Sequence, residues 1–172
     1  MKKLLFSIAL ITVLVIGCTS AKTDAPGFSA SGGNGTMETN VNNNAPSVSS
    51  IEGNEWKLIE VFINGANTQF NRNSLPTELG NSFTLTLDTK LASGVGAPNR
   101  YTAPYTLGDN QTIAIMPMRS TLMASFLEPE NLSEHDFFTY MQNAYSWKLV
   151  NNNMELLSKT RDGGEVRLVF SL

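Results

Sequence analysis

Across residues 51–172 the pattern of apolar and polar positions is dominated by strand signals: β-branched and aromatic runs, in places alternating with a period of two, bounded by turn residues. Phe83–Asp88 alternates most cleanly: Phe83, Leu85 and Leu87 fall on one face, and Thr84, Thr86 and Asp88 on the other. Trp56–Ile63 is rich in β-branched and aromatic residues and stops at Asn64-Gly65, a strong turn dipeptide. Arg100–Thr106 and Thr112–Met116 flank Gly108-Asp109-Asn110 and predict a hairpin. Tyr145–Val150, Met154–Lys159 and Glu165–Phe170 are separated by Asn151-Asn152-Asn153 and by Arg161-Asp162-Gly163-Gly164, which predicts an antiparallel meander.

One segment changes period. From Ser133 onward, Phe137, Phe138, Met141, Ala144 and Tyr145 recur at helical spacing and form one apolar stripe. Ser133 is suited to cap this helix, with Asp136 three residues on imitating a capping box. Glu134 and Asp136 fall in the first turn, where the helix dipole favours negative charge. A helix this short must be held by packing against the sheet. The expected fold is α+β: a mostly antiparallel, strongly bent or barrel-like sheet with one packed helix.

The N-terminus follows different rules. Lys2-Lys3 followed by the apolar run Leu4–Ile16 reads as a signal peptide, too short for a stable membrane span. Val15-Ile16-Gly17-Cys18 resembles the lipobox of bacterial lipoproteins, which implies cleavage after residue 17 and a diacylglyceryl group on Cys18. Thr19, a residue other than Asp after the lipid site, implies sorting to the outer membrane, facing the periplasm. Residues 18–50 are Ser, Gly, Asn, Thr and Ala with very few large apolar side chains, and read as a lipid-anchored disordered tether. Residues 51–172 are the right size for one domain with one core.

Charge and cysteine content narrow the partners. The formal net charge of −3 becomes −5 once Lys2 and Lys3 are removed with the signal peptide. An acidic chain without a basic cluster argues against nucleic acid as a ligand. With its single cysteine at position 18, the domain itself has none for an internal disulfide.

The run Gly94–Ser125 carries the most characteristic pieces: Gly94, then Asn99-Arg100-Tyr101 and Tyr105, then Ser120-Thr121-Leu122-Met123-Ala124. Together with the opening Trp strand and the closing meander, their order and spacing resemble the META/HslJ-like domain of bacterial envelope lipoproteins. The resemblance implies an envelope or stress-associated role and no defined reaction. Many such domains carry one cysteine just before the Asn-Arg-Tyr triplet and another after Met-Ala, where this chain has Pro98 and Ser125. That pairing implies that the loops Gly94–Tyr101 and Met118–Ser125 lie side by side. It also implies that this chain forgoes a crosslink closing a loop of about 27 residues, a constraint of about 3–4 kcal/mol.

Candidate chemistry is sparse. His135 is the sole histidine and lies off the apolar stripe, with no second His or free thiol to complete a zinc site. No Gly-x-Ser-x-Gly nucleophile elbow occurs. Gly94-Val95-Gly96 lacks the third glycine of a dinucleotide site and reads as a turn or bulge. Asp109, Asp162 and Glu165 lie in or beside turns and read as solvated. Met116, Met118 and Met123 around Pro117 read as core filling, against the alternative of an adaptable partner surface. Asn99, Arg100, Arg119 and Thr121 form the candidate binding patch; the alternative for Asn99 is a hydrogen bond to the loop backbone, with Tyr101 in the core.

These readings favour a monomeric, non-enzymatic envelope lipoprotein, without cofactor or metal, that binds or supports an envelope protein partner. A lipid-anchored inhibitor of an envelope hydrolase and a hydrolase with an unrecognised site are the alternatives.

Overall fold

The computed structural model describes residues 47–124 and 127–172. Cys18, the signal segment 1–17, most of the tether and Ser125 lie outside the described residues. Ten strands make up the fold: β1 (Glu55–Ile63), β2 (Ala66–Asn67), β3 (Thr84–Asp88), β4 (Leu91–Val95), β5 (Arg100–Gly108), β6 (Thr112–Ile115), β7 (Arg119–Ser120), β8 (Ser146–Val150), β9 (Asn153–Lys159) and β10 (Glu165–Ser171). Among the described residues one α-helix, α1 (Glu134–Gln142), precedes β8.

Eight of the strands close into an antiparallel barrel in the order β1-β3-β4-β5-β6-β8-β9-β10, with β10 returning to pair with β1. Closure removes the open edges that a flat sheet would expose. β2 adds to β1, and β7 adds to β5 beyond the end of β6. The predicted hairpin is β5–β6, turning through Asp109–Gln111, and the predicted meander is β8–β9–β10.

Alternation places the core. Tyr101, Ala103 and Tyr105 of β5, Met154, Leu156 and Ser158 of β9, and Val166, Leu168 and Phe170 of β10 point inward and are buried. β1 buries Trp56 and Leu58, then skips to Val61. The skip has a cause: Leu58 opposes Phe170 while Glu60 opposes Val169, so Ile59 is an extra residue in a bulge. A bulge re-phases the strand by one residue and sharpens its bend. Trp56 is anchored by its Nε1–H, which donates to the Ile51 carbonyl at 2.9 Å.

Between β1 and β3 the chain makes a long excursion held by Arg72. Its guanidinium donates to the carbonyls of Leu58 (3.0 Å), Gly80 (3.0 Å) and Ser82 (2.9 Å). The Leu58 carbonyl thus finds a partner where the β1–β3 ladder ends, satisfying a group that would otherwise be left unpaired.

On the barrel's outer surface, Glu155 of β9 sits between Lys148 (2.9 Å) and Arg167 (2.9 Å), and the Arg167 guanidinium stacks 3.9 Å above the Phe62 ring. Burial alone would push the Glu155 carboxyl up, but the hydrogen bonds and charges of Lys148 and Arg167 outweigh it and hold it below the usual range.

Three local readings are corrected. Gly94 and Val95 are not a turn but part of β4, which pairs with both β3 and β5. Phe83 lies just before β3 at φ 54° rather than in it, and its ring, buried in the same core as Leu85 and Leu87, meets Phe70 and Phe137 edge-on. Tyr145 does not belong to the buried stripe: α1 ends at Gln142, Tyr140 takes the buried place, and Tyr145 is exposed, donating its hydroxyl to Glu165 at 2.8 Å.

Candidate functional site

The helix start is where the site is assembled. Ser133 caps α1, its hydroxyl oxygen accepting from the Asp136 N–H at 3.0 Å. The cap sets the direction of the first turn, and with it the position of Glu134. Phe137 and Met141, fully buried, fasten the helix to the barrel. Each contributes about 1.5–3 kcal/mol of apolar burial.

Glu134 is spent on the loop between β4 and β5. Its Oε1 accepts from the Ala97 N–H (2.5 Å) and the Asn99 N–H (2.7 Å), and its Oε2 accepts from Asn99 Nδ2 (2.6 Å). Asn99 passes the connection on. Its Oδ1 accepts from the Met123 N–H (2.7 Å) and the Thr121 hydroxyl (2.8 Å), and its Nδ2 also donates to the Met123 carbonyl (3.1 Å). One carboxylate and one carboxamide therefore join α1, the Gly94–Tyr101 loop and the strand that follows Met118. Gly96 is required at this junction, because a Cβ there would lie 2.6 Å from Glu134 Oε1 and 2.7 Å from the Phe138 ring.

The two loops meet along β5 and β7. Tyr101 opposes Ser120, Thr102 opposes Arg119, and the Thr121 N–H donates to the Arg100 carbonyl at 3.1 Å. Arg100, Thr102, Arg119 and Thr121 line an open cleft of about 270 Å³. Among the described residues neither guanidinium has an ion-pair partner, whereas Arg167 and Lys148 are both paired. Tyr101 closes the floor: its hydroxyl donates to the Thr84 carbonyl at 2.7 Å, and burial pushes its phenol far up, so it stays a neutral donor.

Of the four residues singled out from sequence, the structure sets Arg100, Arg119 and Thr121 around one cleft and assigns Asn99 elsewhere. Asn99 is buried, and its carboxamide is taken up by the loops and Glu134, so it holds the cleft together from behind. Glu134 was missed, because an acidic residue in a first turn is accounted for by the helix dipole without asking what its oxygens reach. The methionines divide: Met118 packs against the core, but Met116 and Met123 are exposed rather than core filling.

The remaining polar candidates stand apart. His135 is exposed and contacts the Arg161 guanidinium. Glu165 takes the Tyr145 hydroxyl and pairs with Lys159 at 3.6 Å. Asp162 accepts from the Thr160 hydroxyl within its own turn. Among the described residues no cluster of three or more His, Cys, Asp or Glu is placed to hold a metal ion.

The META domain family model matches residues 49–170, from the turn before β1 into the last strand. Among solved structures, the chain is similar to a protein from Burkholderia xenovorans determined by NMR, with 19% identity, a TM-score of 0.50, and coverage of 72% of this chain and 85% of that one. It is also similar to a DUF4847-family protein from Bacteroides vulgatus seen in a crystal structure, with 13% identity, a TM-score of 0.47, and coverage of 70% and 93%. No curated protein matches the sequence. The first of these likenesses shows a shared fold. With Arg100-Tyr101 of the Asn-Arg-Tyr triplet opening β5 and Ser120 paired beside it inside the matched residues, the chain belongs to the META domain family.

Proposed function

We propose that this protein is a non-catalytic, monomeric binding module of the cell envelope, held by a lipid on Cys18. Residues 18–50 serve as its tether, placing the barrel in the periplasm at the outer membrane. The cleft between β5 and β7 grips an acidic group of a protein partner, with Arg100 and Arg119 as charged donors and Thr121 beside them. The observation that carries this reading is the pair of guanidinium groups without an ion-pair partner among the described residues, on a chain whose acids outnumber its bases. Unpaired arginines beside hydroxyls suit carboxylate recognition, since charge-assisted hydrogen bonds are the strong ones.

The experiment compares the wild type with Arg100→Ala/Arg119→Ala in pull-downs from detergent-solubilised envelope. The double variant melts like the wild type and recovers no acidic partner; equal recovery by both refutes the assignment. Mass spectrometry of the mature N-terminus reads the anchor separately, and an unmodified terminus with all the protein soluble would exclude it.

A further inference from the structure

β7 is one of the two strands the barrel does not absorb. β5 has β4 along one side; along the other it has β6 from Tyr105 onward and β7 at Tyr101–Thr102. β7 pairs with β5 alone, so among the described residues its far edge faces no strand. The extended stretch continues past Ser120 because the Asn99 carboxamide imitates a neighbouring strand, bonding both the N–H and the carbonyl of Met123.

The direction of the free groups follows from the ladder. Thr121 donates its N–H toward Arg100, so Arg119 and Thr121 turn their backbone groups to β5. In an antiparallel pair these alternate, which directs the N–H and carbonyl of Ser120 and Leu122 off the sheet. Exposed edges are usually blunted by a lysine, a proline, a bulge or a covering segment. Here the residues along the edge are all exposed, and Leu122 and Met123 are 98% and 61% exposed.

We propose that the outer edge of Arg119–Met123 is a strand-addition site for an extended, acidic peptide segment of a partner protein; this rests on the acid-gripping role proposed above. The segment pairs its backbone with Ser120 and Leu122. Its side chains on the outer face bring carboxylates to Arg119 and Arg100, and those on the other face lie against Leu122. Main-chain pairing supplies affinity in such complexes, and alternate side chains supply specificity. A second copy is disfavoured, because the same edge of a mate would offer Arg100 and Arg119 no carboxylate: Arg119–Met123 contains no acidic residue. A bilayer is disfavoured because it leaves the free backbone groups unsatisfied.

The test measures fluorescence polarisation of a labelled, end-blocked peptide of alternating glutamate and valine with the full chain. A second peptide carries N-methyl groups on alternate amides, which keeps the charge and removes strand pairing. The unmethylated peptide binds saturably, and methylation weakens it by about tenfold or more. Leu122→Pro weakens it similarly, because the lost N–H points off the sheet, and Leu122→Ala separates out the side chain. Should Leu122→Pro fold poorly, the methylated peptide on the wild type remains decisive. Equal binding of the two peptides, still abolished by Arg100→Ala/Arg119→Ala, overturns strand addition and leaves the acid grip standing. Methylation-sensitive binding indifferent to the arginines overturns the acidic selectivity, and with it the proposal. No saturable binding, a dimer abolished by Leu122→Pro, or co-sedimentation with phosphatidylglycerol vesicles that Arg100→Ala/Arg119→Ala abolishes also overturns it.

Discussion

Asn99→Ala tests the junction behind the cleft most directly. The substitution removes four side-chain hydrogen bonds: to the Met123 N–H, the Met123 carbonyl, the Thr121 hydroxyl and Glu134 Oε2. At about 0.5–1.5 kcal/mol net for each bond the loss spans about 2–6 kcal/mol. The upper half applies where partners stay buried and unpaired, and Asn99 is only 6% exposed. A domain of this size loses about 3–6 °C of melting temperature per kcal/mol, so Asn99→Ala, in the upper half of that range, should melt about 12–36 °C below the wild type. Thr121→Val removes the hydroxyl's bonds to Asn99 and to the Arg100 N–H and leaves the carboxamide's other three in place, so it should fall by roughly half as much or less. Thermal unfolding followed by far-UV circular dichroism, with urea midpoints as a second scale, reads both. An Asn99→Ala variant within about 2 °C of the wild type would refute the joining role, since no folded arrangement could lose those bonds so cheaply.

Other outcomes follow from separate parts of the barrel. Trp56→Ala, at a core position 2% exposed, should cost about 3–5 kcal/mol in urea unfolding; a loss below about 1 kcal/mol would show that the opening strand is not anchored there. Gly94→Ala should cost at least about 1–3 kcal/mol, because its Cβ would fall 2.1 Å from the Thr84 carbonyl oxygen, the acceptor of the Tyr101 hydroxyl; a variant as stable as the wild type contradicts that packing. Glu155 has a folded-state carboxyl held below its unfolded value of about 4.3, so its stabilisation is present above that pH and is lost as pH falls through the lowered value. Glu155→Gln should therefore be destabilised at neutral pH and flatter than the wild type in acid unfolding; parallel acid limbs would exclude this contribution.

The parts legible in the sequence are those where one physical demand governs each position. β5 alternates because one face meets the core and the other meets water, and α1 declares itself through its cap and the Phe137–Met141 stripe. β4 was not legible because Leu-Ala-Ser-Gly-Val answers to a neighbour: the Thr84 carbonyl sits so close to Gly94 that no side chain fits, and a glycine chosen for close approach looks like one chosen for a turn. Tyr145 misled because three residues past the helix end the backbone changes direction, and a helical count keeps running after its helix has stopped. The junction of Glu134 with Asn99 spans two segments remote in sequence, and neither residue type announces the other. Arg100 and Arg119 could be grouped from sequence only through the resemblance that brings their loops together; the carboxamide holding those loops could not.

The barrel closes by joining its first long strand to its last. Until β10 emerges, β1 lacks one neighbour and β9 another, and the apolar faces of Leu58, Val61 and Leu156 have nothing opposite them. Pairings between distant parts of a chain are slow to form and leave incomplete intermediates prone to association. Nearly the whole domain must therefore be present before its core can be sealed. A stop codon just before Glu165 would remove a small fraction of the residues and yet forfeit the barrel.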